Sequence, residues 1–281
     1  MCRAPTDWVR QDEAELRSQS KVEHTSWDVV AAREEWSGWT PEQRWEHLKN
    51  YAAAWDKEDE FPREVDGPFV EMLLEAIAQS PVPSNAEIEA GISEFENQED
   101  NWLEVLLVRL AGWRRIEAVV PRLVDLLGAD DDAMPSSAQR ALIKIGTDAV
   151  VHQIAERFPG EEWSWQLYAT GVLETIGLPS SEETLLSLCE QTLRSGNEAM
   201  FGSALLRQFS ERSIPVLRQF VLDGYDGALD TLEDSLHVVA QVLGVEFSLD
   251  AAWQSSVERC QAERYASWKA FREAFREKQQ D

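Results

Sequence analysis

Two short stretches of the sequence end in the same way, 31 residues apart. RALIKIG covers residues 140–146 and GVLETIG covers residues 171–177, and each ends on a glycine, Gly146 or Gly177. Counting back from each glycine, apolar residues recur at offsets of one, four, five and eight, which lie on one face of an α-helix. A glycine just past a helix can adopt a left-handed conformation without a Cβ penalty, so it closes the helix and turns the chain. This recurrence predicts helical hairpins that stack, because one hairpin cannot bury its apolar faces alone.

Three further helix ends fit the same offsets. They are Gly112, Ser210 and Gly244. Ser210 takes the place of the glycine in its unit, and Gly112 comes one residue later than the apolar pattern requires. The predicted ends at 112, 146, 177, 210 and 244 are 34, 31, 33 and 34 residues apart. At offset four, the pattern predicts buried equivalents at Leu142, Leu173 and Leu206.

Each of these helices is paired with a first helix that carries its own apolar stripe. The segments that link the paired helices are rich in turn residues, as in GADDDAMPSS at 128–137. No stretch shows the alternating pattern of a strand. The sequence therefore predicts an all-α protein.

The pattern AVVPRLVDLL (118–127) followed by SSAQRALIKIG (136–146) resembles the HEAT-like repeats, especially the short bacterial type that also occurs in phycobilin lyases. The resemblance covers about residues 84–244. It implies a right-handed α-α superhelix, a HEAT-like solenoid, with helical caps at the N- and C-termini. The repeat lengths of tetratricopeptide and ankyrin proteins are closer than that of HEAT repeats to the spacing of 31–34 residues in this sequence. However, their motifs W-x₂-L-G-x₂-Y and T-P-L-H are absent.

Three regions are expected along the chain. Residues 1–83 form a helical, acidic, Trp-rich region, residues 84–247 form the HEAT-like repeats, and residues 248–281 form a C-terminal capping helix. In the first region, Thr40 followed by Pro41 and Gln43 predicts the start of a helix with a capping box. The tryptophans of this region either pack in the core or remain exposed as anchors for a partner.

The charge of the chain limits its partners. Its 52 acidic residues against 26 basic ones give a formal net charge of −26, which repels phosphate backbones and anionic lipids. We therefore expect no nucleic-acid partner and no membrane partner, and a basic protein partner or simple solubility explains the charge. The three cysteines are widely spaced, and neither a secretory h-region nor a membrane-length apolar run is present, so a cytoplasmic protein is expected.

The residues that usually carry catalysis or bind metals form no known motif. The four histidines are scattered, and the GxSxG and Walker patterns are absent, so we expect no catalytic residues, no metal and no cofactor. Two enzyme families share the resembled fold. HEAT-like alkylpurine DNA glycosylases use a basic concave face, which does not suit so acidic a chain, whereas phycobilin lyases hold an open-chain tetrapyrrole.

The expected function is a non-catalytic scaffold for protein–protein interaction. One alternative is an inhibitor or immunity-type acidic protein that binds a basic toxin or nuclease, and another is a lyase-like enzyme that binds a tetrapyrrole. The resemblance implies that the second helix of each repeat lines a concave binding surface. The candidate contacts are the exposed members of the tryptophan set Trp36, Trp39, Trp163 and Trp165, together with Arg140, Lys144, Glu174, Arg207, Gln208 and Gln241. The sequence does not indicate the oligomeric state.

Overall fold

The computed structural model describes residues 36–56, 68–93, 101–130, 132–191, 198–223 and 232–245, together with Lys269. Every regular element in these ranges is helical, and none is a strand, which confirms the all-α prediction. No helix in this described part is long and apolar enough to cross a membrane. The predicted capping helix at 248–281 lies outside the described residues, Lys269 excepted.

The chain divides into two compact units. One comprises Met1–Ser84 with Gln98–Leu103, and the other comprises Asn85–Asn97 with Glu104–Asp281. The three regions expected from the sequence, 1–83, 84–247 and 248–281, remain predictions.

The first unit contains helices α1 (Pro41–Trp55) and α2 (Pro68–Ala78), which pack against each other. Helix α1 begins as the sequence predicts. The Oγ1 atom of Thr40 accepts a hydrogen bond from the backbone N–H of Gln43 at 3.3 Å, and the Oε1 atom of Gln43 accepts one from the backbone N–H of Thr40 at 2.8 Å. The reciprocal bonds satisfy two backbone donors at the helix N-terminus.

The second unit contains the remaining described helices. Helix α4 starts with two residues of the first unit and continues into the second. The helices are α3 (Asn85–Ser93), α4 (Trp102–Arg114), α5 (Val120–Leu126), α6 (Ala133–Ile145), α7 (Asp148–Arg157), α8 (Trp163–Ile176), α9 (Pro179–Gln191), α10 (Glu198–Arg207), α11 (Ile214–Asp223) and α12 (Leu232–Leu243). Short 3-10 turns at Glu117–Val119, Phe158–Gly160 and Glu211–Ser213 precede α5, follow α7 and precede α11.

The helices of the second unit form two rows. In the even row, α6 packs against α8, α8 against α10, and α10 against α12. In the odd row, α5 packs against α7 and α7 against α9, while α5–α6, α9–α10 and α11–α12 pack across the rows. Hydrogen bonds between neighbours in a row join residues about one predicted repeat apart, as in Gln139 to Tyr168 (29 residues) and Ser180 to Asp148 (32 residues).

Left-handed residues mark the ends of the even helices. The described residues with a left-handed backbone are Arg115, Gly146, Gly177, Phe209 and Gly244, which are 31, 31, 32 and 35 positions apart. Two predicted ends are therefore wrong. Gly112 lies inside α4, and Ser210 directly follows the left-handed residue of its repeat.

Hydrogen bonds explain why a non-glycine residue can close a helix here. The backbone N–H of Phe209 donates to the carbonyl of Leu206, and that of Ser210 donates to the carbonyl of Leu205. Arg115 and Ile116 make the same pair of bonds at the end of α4, and Gly244 and Val245 make it at the end of α12. This pattern is the Schellman motif, which satisfies carbonyls at the helix C-terminus.

The revised ends give a consistent core. Counted from the left-handed residues, the side chains at offset four are all fully buried: Ala111, Leu142, Leu173, Leu205 and Ala240. Leu206, the predicted equivalent, is also buried, but it lies at offset three. The apolar face was therefore predicted correctly, whereas the register of this repeat was wrong by one residue.

Candidate functional site

The four candidate tryptophans differ in exposure. In the second unit, Trp163 is 48% exposed and Trp165 is 1% exposed. In the first unit, Trp36 is 6% exposed and Trp39 is half-buried. Burial thus removes Trp36 and Trp165 from the exposed set, and Trp163 has the larger accessible surface of the remaining two.

Trp165 is buried in the core, where its side chain links two helices. Its Nε1 atom donates a hydrogen bond to the carbonyl of Val124 at 2.9 Å, which links α8 to α5. Its ring meets the ring of Phe158 edge to face, with centroids 5.7 Å apart. A buried indole needs such a partner for its N–H, and the aromatic pair adds to the packing.

Several of the described aromatic residues of the first unit pack on one another. The ring of Trp39, just before α1, and the rings of His47, Tyr51 and Trp55 on α1 follow one another with centroid separations of 4.7, 4.7 and 5.7 Å. The ring of Trp36 lies 6.3 Å from that of Phe69 on α2. Packing within the unit is therefore the observed role of Trp36 and Trp55, both of which are buried.

Three of the polar candidates, Glu174, Arg207 and Gln208, connect α8 to the end of α10. The Nη1 atom of Arg207 lies 2.9 Å and 3.1 Å from the two carboxylate oxygens of Glu174. The Nε2 atom of Gln208 donates to the carbonyl of Leu173 at 2.6 Å and also lies 3.1 Å from the hydroxyl of Ser181 on α9. These contacts satisfy carbonyl groups at the end of α8 and fix it against the next repeat.

The remaining polar candidates also have partners within the protein. Lys144 on α6 places its Nζ atom 3.5 Å from the ring centroid of Trp113 on α4, a cation–π contact. Arg140 is half-buried one turn earlier on α6. Gln241 lies 3.0 Å from the ring nitrogen of His237 on the same helix. The candidate polar residues thus lie on helices of the even row or directly after them. Most of them contact residues of a neighbouring helix or of their own helix.

Several exposed side chains of the second unit are apolar. On α8, Trp163 and Leu167 are four residues apart and therefore share a face, as do Val238 and Val242 on α12. Phe209 is 50% exposed in the turn after α10. Phe209 was not among the predicted contacts, because the helix end predicted at Ser210 placed this residue in the buried apolar stripe.

The two neighbours of Phe209 are bonded to the start of α9. Gln208 precedes it and contacts Ser181, as described above. Ser210 follows it and donates a hydrogen bond to the carboxylate of Glu182 at 2.5 Å. The ring of Phe209 therefore lies on a turn that is held on both sides against α9.

A groove of about 380 Å³ lies between α7 and α9 in the odd row. His152 and Ala155 line one side, and Glu183, Thr184, Ser187 and Gln191 line the other. None of its lining residues in the described part is Lys or Arg. The sequence carries no signal for this groove, because its two walls belong to different repeats.

Arg157 joins α7 to the neighbouring odd helix. It pairs with Asp125 on α5 and donates from Nε to Glu161 at 2.8 Å. Burial alone lowers the pKa of this guanidinium, but the hydrogen bonds and charges of Glu161 and Asp125 outweigh burial and raise the pKa of Arg157. This ion pair is half-exposed, so it contributes modestly to stability.

No cluster of three or more His, Cys, Asp or Glu residues within the described ranges is arranged to hold a metal ion. The sequence matches no protein-family model and no curated protein.

Proposed function

We propose that the chain is a non-catalytic scaffold, a right-handed superhelix of HEAT-like repeats that binds a protein partner. The left-handed helix ends at intervals of 31–35 residues support the repeat architecture, as does the packing of each even helix against the next. The hydrogen bonds between neighbouring repeats have similar spacings. These features suit a stack of hairpins in which each repeat contacts its neighbours.

The binding proposal depends on the conformation and exposure of Phe209. Three of the five left-handed positions have glycine, whereas Phe209 has a φ of 56° and is half-exposed. The left-handed conformation costs a residue with a Cβ about 1–2 kcal/mol. Backbone strain of this kind concentrates at functional positions, and exposed aromatic residues frequently anchor protein partners. We therefore place the centre of the binding surface at Phe209, with Trp163 and Leu167 as further apolar contacts.

The charge of the chain favours a basic partner. A net charge of −26 attracts cationic proteins over long range and opposes nucleic acids. An inhibitor or immunity-type protein that neutralises a basic toxin or nuclease is the sharper form of this proposal. We place this interaction in the cytoplasm, where the buried thiol of Cys189 would remain reduced.

The proposal is tested by comparing three baits in a pull-down from the native host. The baits are the wild type, Phe209→Gly and Leu222→Ala, since Leu222 is exposed to a similar extent, at 54%, on α11. We expect a protein that the wild type and Leu222→Ala capture equally. Its recovery should fall about tenfold or more with Phe209→Gly, as for loss of a binding hot spot. Equal recovery of the same proteins by all three baits would contradict the role of Phe209.

A further inference from the structure

An aromatic row on the first unit carries two side-chain donors that are not used within the described part of the chain. The row consists of the rings of Trp39, His47, Tyr51 and Trp55, with centroid separations of 4.7, 4.7 and 5.7 Å. The first three residues are half-buried, so each keeps accessible surface. The indole N–H of Trp39 and the hydroxyl of Tyr51 make no hydrogen bond with a described residue. Such donors need water or a ligand as their partner, so the row offers a ligand both aromatic surface and two donors.

These features favour a ligand that has apolar rings and hydrogen-bond acceptors but few donors. Proline fits this description, because it has a ring and a backbone carbonyl but no N–H. A polyproline II helix leaves its carbonyls without internal hydrogen bonds, and aromatic-lined sites bind such helices because they are already ordered. One turn of it rises about 9 Å. The rings of Trp39 and Tyr51 are separated by at most two steps of 4.7 Å, so prolines one turn apart can contact both rings.

The charges around the row favour a cation at an end of such a ligand. Glu42 is exposed in the first turn of α1, near one end of the row, and forms no ion pair with a described residue. Asp56 is exposed directly after the last residue of the row. Between them on α1, the Nε atom of Arg44 donates to the carbonyl of Trp36 at 3.0 Å, and this guanidinium would repel a cation placed over the middle of the row. Residues 1–84 carry 18 acidic and 9 basic residues, so the surrounding charge attracts a basic segment.

We propose that the aromatic row binds a proline-rich segment of the basic protein partner, with a lysine or arginine at its end. The prolines pack on Trp39 and Tyr51, whose N–H and O–H groups donate to carbonyls of the segment. The terminal cation pairs with Glu42. The inference rests on the proposed function, a basic protein partner, and adds a contact on the first unit.

The test uses a synthetic peptide and needs no partner protein. The probe is an octapeptide of six prolines with one arginine at each end, and its prolines span about 19 Å in the polyproline II conformation. The control probe replaces the prolines by alternating glycine and serine, so it keeps the charge but loses the conformation. Each probe is titrated into ¹⁵N-labelled full-length protein.

With the proline probe, we expect saturable shifts at the indole N–H of Trp39 and at the backbone amides of His47 and Tyr51. The control probe should bind at least about tenfold more weakly, because ordering a flexible chain costs entropy. Equal binding of the two probes would show that charge alone is recognised, and it would overturn the proposal. The absence of saturable shifts with the proline probe would overturn it as well.

Matched tryptophan variants locate the site. Trp39 and Trp45 are both half-buried in the first unit, but Trp45 lies outside the row, and its ring centroid is 5.9 Å from the Nζ atom of Lys49. We expect Trp39→Leu to raise the dissociation constant of the proline probe about tenfold or more and Trp45→Leu to leave it unchanged. Equal effects of these two variants would overturn the assignment of the row.

A second variant separates binding from packing. Tyr51→Phe keeps the ring in the row and removes only the hydroxyl donor, so we expect the dissociation constant to rise about threefold with the fold intact. An unchanged dissociation constant would overturn the donor role of Tyr51. The pull-down with Phe209→Gly is an independent measurement on the second unit, so the proposed function can stand while this inference fails.

Discussion

Gly112 allows two neighbouring even helices to approach closely. A Cβ atom added there would lie 2.4 Å from the Cα atom and 2.9 Å from the Cβ atom of Ala141 on α6. Backbone atoms cannot rotate away, so α4 and α6 would have to separate. The role of this glycine is thus packing, rather than the helix-ending role that the sequence pattern predicted for it.

We expect Gly112→Ala to lower the free energy of unfolding by about 1–3 kcal/mol, the usual cost of overpacking. Alanine by itself favours a helix by up to about 1 kcal/mol over glycine, so a loss can come only from the contact with α6. Chemical denaturation measures the difference. The control is Gly160→Ala, where an added Cβ meets no atom within 4 Å, and it should change stability by less than about 0.5 kcal/mol. Equal stability of the two variants would show that α4 and α6 are not in this close contact.

At the residue scale, the sequence predicted the turns where glycine makes the left-handed conformation inexpensive. Gly146, Gly177 and Gly244 were found for this reason, and all three have a positive φ. Arg115 and Phe209 adopt the same conformation against their intrinsic preference, so residue type gave no signal. The partners of Lys144, Arg207 and Gln208 lie about one repeat away, so they become visible only when the repeat register is known.

At the scale of elements, α8 is packed between α6 and α10. Leu173 on its inner face is fully buried, so we expect Leu173→Ala to cost about 2–5 kcal/mol through lost burial and the cavity it leaves. Denaturant unfolding measures this cost, with Leu222→Ala as the exposed control. A cost below about 0.5 kcal/mol for Leu173→Ala would show that the buried face of α8 is assigned incorrectly.

The existence of the helices and their buried faces were more predictable than the residues at which individual helices begin and end. The apolar offsets identified the buried faces, because a helical period of 3.6 residues imposes them directly. The stretch at 128–137 was predicted to be a linker, but α6 already begins at Ala133. Pro135 lies in the first turn of α6, where no intrahelical N–H bond is lost, so it is compatible with the helix. The groove between α7 and α9 could not be predicted, because it arises from the spacing of two helices that are not adjacent in sequence.

At the scale of the whole molecule, charge should control the rate of association. With a net charge of −26, we expect the association rate constant for a basic partner to fall as salt rises, because ions screen attraction beyond about 8–10 Å. The dissociation rate constant should instead respond to Phe209, since anchors mainly determine how long a complex lasts. Stopped-flow mixing with the captured partner at several salt concentrations measures both rate constants. An association rate that does not change with salt would contradict electrostatic steering.

The same charge predicts that duplex DNA is not bound. Fluorescence anisotropy at physiological salt should show no binding of DNA at micromolar protein concentrations, because a chain this acidic repels the phosphate backbone. Saturable micromolar binding would contradict the assignment of a protein partner.

The free energy of unfolding of Phe209→Gly is the most direct test of the central claim, that this residue is kept for a partner rather than for the fold. Relief of the left-handed strain is worth about 1–2 kcal/mol, and the greater freedom of glycine in the unfolded chain offsets about 0.5–1 kcal/mol. We therefore predict that Phe209→Gly is about 0.5–1 kcal/mol more stable than the wild type in denaturant unfolding, with Gly177→Ala less stable by a similar amount. If Phe209→Gly instead loses 1 kcal/mol or more, the ring stabilises the fold, and the claim is contradicted.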